Sequence, residues 1–186
     1  MSRLWDKGKP LDERILAYTA GEDHLLDARL VACDVRASIA HAAMLNRQKL
    51  LSDDDFAAIE AGLAELGREH ADGGWQISLA DEDAHTALEQ RLTARIGEAG
   101  KRIHLGRSRN DQVLAALRLY LLDAADLLEQ RADSVADALT ALGERESEVA
   151  LPGYTHMQQA MPSSVHLWAE GFASELRDDA EGIAAS

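Results

Sequence analysis

The sequence predicts an all-α protein, and three observations lead to that fold class. Ala and Leu, which have high intrinsic helix propensities, are plentiful, whereas aromatic residues make up only 4% of the chain. Only three prolines interrupt the 186 residues. Apolar residues recur at every third or fourth position over long stretches, which is the period of an amphipathic helix. A chain of this length can bury a core of packed helices.

Residues 1–105 are predicted to form a small N-terminal helical domain. Its first part, residues 1–21, is predicted to be an irregular arm with a short helical turn around residues 14–18. The apolar positions then predict one long helix over residues 22–50. Cys33 lies in that stretch and is the only cysteine, so no intrachain disulfide can form and a buried structural thiol is expected.

Two further helices of this domain are predicted from the residues at their ends. Ser52 is the expected N-cap of a helix that ends near Glu69, and three aspartates in its first turn complement the helix dipole. Asp81 is the expected cap of the next helix, which is predicted to end at Gly97 and Gly100.

Residues 106–186 are predicted to begin a bundle of long helices. After a basic connector at residues 101–109, apolar residues keep helical spacing over residues 113–142. Such a rod is about 45 Å long at about 1.5 Å per residue and needs partner helices. Residues 151–162 are predicted to be a loop between two prolines. A last helix is predicted from Ser163, and no stop signal follows it, so a truncated bundle domain is expected.

The charge of the chain narrows the classes of partner. The formal net charge is −14, which argues against nucleic-acid binding because neutralising phosphates requires a basic face. An anionic small-molecule substrate remains compatible, since arginines can invert the local field in a cleft. No apolar run is long enough to span a bilayer, and the N-terminus lacks the apolar segment of a signal peptide. A cytoplasmic protein without a nucleic-acid or membrane partner is therefore expected.

The first of three polar clusters is Asp81–Thr86, at the start of a predicted helix. Its acidic residues can serve only as caps that compensate the helix dipole, or they can belong to a site. His85 lies one turn into the helix near Glu89, so a structural histidine and a site histidine are both open interpretations.

The second cluster is Gly106–Gln112, directly before the long helix. Arg107 and Arg109 can bind carboxylates through bidentate guanidinium contacts. The helix N-terminus behind them supplies free N–H groups that favour an anion. Ser108 and Asn110 can instead be simple caps, so anion binding and capping both remain open.

The third cluster is Pro152–Gln158, which contains Thr155 and His156. A histidine in a Gly/Pro loop suits proton transfer, because its reference pKa lies at about 6.5. The histidines of the chain do not follow the usual spacing of metal ligands. No phosphate-binding glycine loop, dinucleotide fingerprint or nucleophile elbow is present. The pattern therefore favours acid–base chemistry without a metal.

These clusters resemble those of the argininosuccinate lyases, a family within the fumarase/aspartase superfamily. The resemblance covers nearly the whole chain, and its segments follow one another in the family's order. They are Leu4-Trp5, Asp34–His41, Asp81–His85, Gly106–Val113 and Pro152–His156. The segment Gly-Arg-Ser-Arg-Asn-Asp-Gln-Val is highly specific within the superfamily.

The resemblance implies a C–N β-elimination that cleaves argininosuccinate to L-arginine and fumarate in arginine biosynthesis, without a metal or organic cofactor. In this chemistry a proton leaves the carbon beside a carboxylate, and the C–N bond then breaks. By resemblance, His156 is the catalytic residue that transfers the proton or tunes its transfer. The implied substrate-binding residues are Ser108, Arg109, Asn110, Thr155 and His85.

The family assembles as a homotetramer whose composite active sites take the three clusters from different subunits, and the resemblance implies the same here. The sequence departs from the family at Asp23, where many members have a serine that contacts substrate. The family's flexible Gly-Ser-Ser loop, which carries the catalytic serine, is absent from these 186 residues, so this chain alone is expected to be inactive. A sister enzyme such as an adenylosuccinate lyase, and a non-catalytic crystallin-like or assembly protein, are the alternatives.

Overall fold

A computed structural model describes residues 12–185, and these residues are mostly helical. The predicted all-α class is confirmed, with one small β-hairpin added. The helices are α1 (Glu13–Ala20), α2 (Asp23–Leu26), α3 (Val31–Arg47), α4 (Asp53–Ala71), α5 (Ala84–Ile96), α6 (Glu98–Lys101), α7 (Arg109–Arg145) and α8 (Val165–Ala184). The strands are β1 (Ala150–Thr155) and β2 (Gln158–Ser164). Leu4-Trp5 and most of the predicted arm lie outside the described residues.

Contacts along the chain divide it into two compact units, Met1–Tyr120 and Leu121–Ser186. This division falls inside α7. The domain boundary after residue 105 stays a prediction.

The core of the first unit lies between α3, α4 and α5, and α4 packs against both of the others. Fully buried leucine and isoleucine side chains from the three helices fill it, because each helix turns an apolar stripe toward its neighbours. They include Leu45, Ile59, Leu63, Leu88 and Leu92. Cys33 is buried in α3, as expected for a structural thiol.

One long helix over residues 22–50 was a wrong prediction. A short α2 is followed by a 3-10 turn at Asp27–Arg29, and α3 begins only at Val31. The Asp27 carboxylate accepts a hydrogen bond from the backbone N–H of Ala84, 3.2 Å away. This hydrogen bond to a distant segment favours a turn at Asp27, although the local apolar periodicity favours a continuous helix.

The predicted cap of α4 is confirmed, and that of α5 is wrong. The Ser52 hydroxyl accepts from the backbone N–H of Asp55 at the start of α4. At α5 the capping side chain is Asp83, which accepts from the N–H of Thr86 at 2.9 Å. Asp81 instead accepts from both the N–H and the hydroxyl of Ser78.

The connector at residues 101–109 is more regular than predicted. Gly97, with a φ of 69°, ends α5 as expected, and α6 follows at once. A 3-10 turn at Arg102–His104 then leads toward α7. Gly100 does not end a helix but lies buried within α6.

The second unit contains the end of α7, the hairpin and α8. Gly143 lies against His166 and Ala169, and Arg177 donates to Asp137 and Thr140. The later part of α8 therefore contacts the earlier part of this α7 segment, so the two helices run antiparallel. The predicted long helix is confirmed, since α7 has 37 residues.

The segment at residues 151–162 is not the predicted loop but most of an antiparallel hairpin. The strands pair from Ala150 with Ser164 to Thr155 with Gln158, and a register shift lies between Pro152 and Tyr154. Most residues of both strands are exposed. No apolar alternation therefore marked them in the sequence.

Among residues 12–185 no helix is both long enough and apolar enough to cross a membrane.

Candidate active site

The segment Gly106–Gln112 forms the start of α7, and Ser108 caps that helix. The Ser108 hydroxyl accepts from the N–H of Asn110 at 3.0 Å, and the Asp111 carboxylate accepts from the N–H of Ser108 at 2.8 Å. This reciprocal pair satisfies two backbone donors that the helix itself leaves free. Ser108 and Asn110 are both exposed. The first turn of α7 is therefore fixed by its own side chains and remains accessible.

Arg109 connects the start of α7 with the start of α5. Its Nη2 donates to the carboxylate of Asp83 and to the hydroxyl of Thr86. About a third of the side chain remains exposed. Because Thr86 follows His85, this contact brings two of the predicted substrate-binding residues, Arg109 and His85, to the same helix start.

His85 is buried and bound to an acid that the sequence had not assigned to the site. Its Nδ1 lies 2.7 Å from Oδ2 of Asp34, and both side chains are almost fully buried. Asp34 also accepts from Nε2 of Gln112 and from the hydroxyl of Ser38. A buried carboxylate is costly unless it is paired and hydrogen-bonded, and this one has both.

Arg107 extends this buried network. Its Nη2 donates to the Ser38 hydroxyl at 3.0 Å. Burial lowers the pKa of the Arg107 guanidinium, against the opposing attraction of Asp34, Glu89 and Asp111. The buried Nε of Arg107 has no hydrogen-bond partner within the described chain. Arg107 therefore contacts the buried network at Ser38, whereas Arg109 contacts Asp83 and Thr86 at the start of α5.

Asp81, in the first polar cluster, belongs to a separate ion pair. Arg91 donates to both carboxylate oxygens at 3.2 Å, and Ser78 adds two hydrogen bonds. Burial raises the pKa of Asp81, but the contacts from Arg91 and Ser78 outweigh it, so this pKa lies below its ordinary value.

We expect Asp81→Asn to lower the free energy of unfolding by about 1–3 kcal/mol at pH 7, because Arg91 loses its buried partner. A lowered folded-state pKa means that ionised Asp81 stabilises the protein above its ordinary pKa of 3.8. That contribution is lost as the pH falls through the lower folded-state pKa. Urea unfolding at several pH values should therefore show the two proteins converging in acid. An equal difference in the free energy of unfolding at all pH values would contradict this prediction. Asp133→Asn, at an exposed position of α7, is the control.

A surface pocket of about 390 Å³ lies beside α4 and α5, lined in part by Trp75, Arg91 and Arg95. None of the predicted site residues lines it. Arg91 and Arg95 pair there with Asp81 and Glu69.

Thr155 and His156 belong to the second unit, at the tip of the hairpin. Thr155 pairs with Gln158, and the two residues between them have positive φ values, 48° for His156 and 61° for Met157. Two such residues form the tight turn that the twist of a hairpin favours, a turn in which Asn and Gly are usual. His156 is exposed. A histidine held in this sparsely populated conformation is typical of a functional position.

The structure thus brings His85 and Arg109 together at the start of α5, with Ser108 and Asn110 in the adjoining first turn of α7. Sequence analysis did not assign Asp34 to the site, although Asp34 and Ser38 lie within a quoted motif. Asp34 and Ser38 are four residues apart, which places them on the same face of a helix, and this spacing was the signal in the sequence that the two side chains interact.

A search against protein families matches residues 10–186 to a family described as lyase. The match covers almost the whole chain, so this chain belongs to that lyase family.

The names of individual relatives are more specific than the description of the family. An argininosuccinate lyase of Sorangium cellulosum is 47% identical over 184 residues, which are 99% of this chain and 43% of that protein. An argininosuccinate lyase of Thermotoga neapolitana is 40% identical, over 95% of this chain and 44% of that protein. The predicted resemblance is confirmed. The chain spans less than half the length of these relatives.

A solved structure supports the fold. A fumarate lyase:delta crystallin of Brucella melitensis superposes with a TM-score of 0.71 at 19% identity, covering 90% of this chain and 44% of that one. At this identity the likeness concerns the fold alone.

Proposed function

We propose that this chain is part of an argininosuccinate lyase, a carbon–nitrogen lyase that cleaves argininosuccinate to L-arginine and fumarate in arginine biosynthesis. The observation that carries the proposal is 47% identity to a protein of that name over 99% of the chain. The grouping of His85 with Arg109 beside an accessible helix N-terminus supports it, because this arrangement suits a dicarboxylate ligand.

The proposed reaction is a β-elimination. A base removes a proton from the carbon beside one succinyl carboxylate, and the electron pair left behind forms the carbon–carbon double bond of fumarate. The C–N bond breaks at the same time as, or after, that step, and the leaving guanidino nitrogen takes up a proton to give arginine. Fixed cations and N–H donors stabilise the charge that develops on the carboxylate.

His156 is proposed to transfer a proton or to tune that transfer, and Thr155 beside it to bind a substrate carboxylate. Ser108, Arg109 and Asn110 are proposed to bind succinyl oxygens at the start of α7, near His85. Because Ser108 uses its hydroxyl as an acceptor from the N–H of Asn110, its hydroxyl hydrogen remains to donate to substrate.

A homotetramer with composite sites is also proposed. Many large apolar side chains on α7 and α8 are exposed in the single chain, which favours burial against other helices. They include Leu121, Leu122, Leu127, Leu128, Leu167, Trp168 and Phe172. A cytoplasmic location, as for a biosynthetic enzyme, belongs to the same proposal.

The test is the release of fumarate from argininosuccinate, followed by ultraviolet absorbance. The relatives are more than twice as long as this chain, so the complete polypeptide encoded by the gene is the protein to assay. Adenylosuccinate is assayed in parallel. Turnover of argininosuccinate alone is expected, whereas turnover of adenylosuccinate alone, or of neither compound by an intact oligomer, would refute the proposal.

We expect Arg109→Ala to weaken fumarate binding about 10- to 100-fold, since a hydrogen bond to a charged group contributes about 1.5–3 kcal/mol. Inhibition of the reaction by fumarate measures this. Arg102→Ala is the matched control, because Arg102 makes an equivalent ion pair with Asp55 away from the cluster. Equal fumarate affinity in Arg109→Ala and in the unmodified protein would contradict the assigned role.

A further inference from the structure

The carboxylate of Asp34 is the centre of the buried network in the first unit. Asp34 has no exposed surface. Its Oδ1 accepts from the hydroxyl of Ser38 at 3.0 Å and from Nε2 of Gln112 at 2.9 Å. Its Oδ2 faces Nδ1 of His85 at 2.7 Å and Nε2 of Gln112 at 3.0 Å. Both oxygens of one carboxylate are therefore saturated by named donors.

These partners come from three separate segments of the chain. His85 lies 51 residues from Asp34 and Gln112 lies 78 residues from it. His85 is in the first turn of α5 and Gln112 is in the first turn of α7. One buried carboxylate thus ties together the two helix starts that carry the proposed substrate-binding residues of this unit.

The contact also determines what His85 can offer a ligand. Because the carboxylate only accepts, Nδ1 of His85 carries the hydrogen, and Nε2 is the ring nitrogen left for substrate. A neutral ring then presents Nε2 as an acceptor. A ring with hydrogen on both nitrogens presents Nε2–H as a donor, which suits a carboxylate ligand.

We propose that Asp34 is a positioning residue for the lyase reaction, which fixes the tautomer and orientation of His85 so that Nε2 faces the substrate. This inference rests on the proposed function, which assigns His85 to substrate binding. A carboxylate behind a histidine has this role in other enzymes, where it does not itself react. Both oxygens of Asp34 are occupied by donors from this chain, so Asp34 acts through His85.

Asp34→Asn separates this role from simple packing. The new amide has nearly the same shape. Gln112 contacts both oxygen positions, but the Ser38 hydroxyl donates to Oδ1 alone, and this favours the amide oxygen on that side. The amide NH2 group then faces His85 and donates to Nδ1. His85 then takes the opposite tautomer, with hydrogen on Nε2.

The first experiment is a double-mutant cycle in the complete polypeptide, using Asp34→Asn, His85→Gln and the double variant. Asp34→Asn is expected to change the inhibition by fumarate at least tenfold, with a smaller change in kcat, because Nε2 of His85 changes between acceptor and donor and His85 binds without reacting. In the His85→Gln background the same change is expected to have less than a twofold effect, since its target is gone. Equal effects in both backgrounds would overturn the proposal.

Asp81→Asn is the matched control. The same change is made at another buried carboxylate of the first unit, whose partners Arg91 and Ser78 lie outside the candidate site. We expect a lower midpoint of unfolding with less than a twofold change in fumarate inhibition. A change of inhibition as large as that of Asp34→Asn would assign the effect to packing and overturn the proposal.

The second experiment does not depend on activity. Solid-state 15N spectra of the complete polypeptide, labelled at its histidines and compared with His85→Gln as the difference reference, report which ring nitrogens carry hydrogen. The unmodified protein is expected to show a protonated Nδ1 in His85, and Asp34→Asn to show the opposite tautomer. An unprotonated Nδ1 in the unmodified protein would overturn the proposal even if Asp34→Asn does not fold. If the spectra are as expected but the complete polypeptide does not cleave argininosuccinate, only the proposed function is refuted.

Discussion

His156→Asn is expected to lower kcat by about two to four orders of magnitude, the range that general acid–base groups contribute. The measurement is fumarate release by the complete polypeptide. This variant should remove the imidazole without disturbing the backbone, because His156 has a φ of 48°. Asn tolerates that left-handed backbone better than His does, so the turn of the hairpin should be kept or strengthened.

Met157→Asn is the matched control for His156→Asn. Met157 is the other residue of the turn, with a φ of 61°, and its side chain is 93% exposed. The same new side chain at the neighbouring position tests whether the backbone of the turn, rather than the imidazole, limits the reaction. Similar kcat values for His156→Asn and the unmodified protein would remove His156 from the mechanism, and equal losses in both variants would assign the effect to the hairpin.

Gly100→Ala should produce the largest loss of stability among single methyl additions to the first unit, about 1–3 kcal/mol. A Cβ at this position would lie 2.8 Å from both Cα and N of Thr93. These are backbone atoms of α5, so the clash can be relieved only if α6 moves away from α5. The midpoint of urea unfolding measures the loss.

Gly171→Ala is the control for this prediction, because nothing lies within 4 Å of a Cβ placed there on α8. Removing a helical glycine at an open position should raise stability by about 0.5–1 kcal/mol. If Gly100→Ala unfolds at the same urea concentration as the unmodified protein, the close approach of α5 and α6 is wrong.

Local signals predicted much of the helical structure correctly. The cap at Ser52 and the end of α5 at Gly97 depend on the chemistry of single residues and were confirmed. The long helix after residue 108 follows from apolar spacing sustained over many turns. The expectation that the first two polar clusters come from different subunits was wrong, because Arg109 contacts Asp83 and Thr86 within one chain.

Other features depended on distant partners. Asp81 and Asp83 are equally good caps by sequence, but Arg91 and Ser78 engage Asp81 and leave the cap of α5 to Asp83. The break before Val31 depends on the contact of Asp27 with Ala84. Arg91 lies 10 residues from Asp81, and Ala84 lies 57 residues from Asp27, so local sequence does not show either contact.

The sequence by itself determined the helical class, some helix ends and the family, because periodicity, capping and motif order are properties of neighbouring residues. Only the tertiary structure decided that Asp34 binds His85, since 51 residues separate them and burial selects the pair. It also decided that the Thr155–Gln158 segment closes a hairpin, because strands exposed on both faces leave no apolar alternation to read.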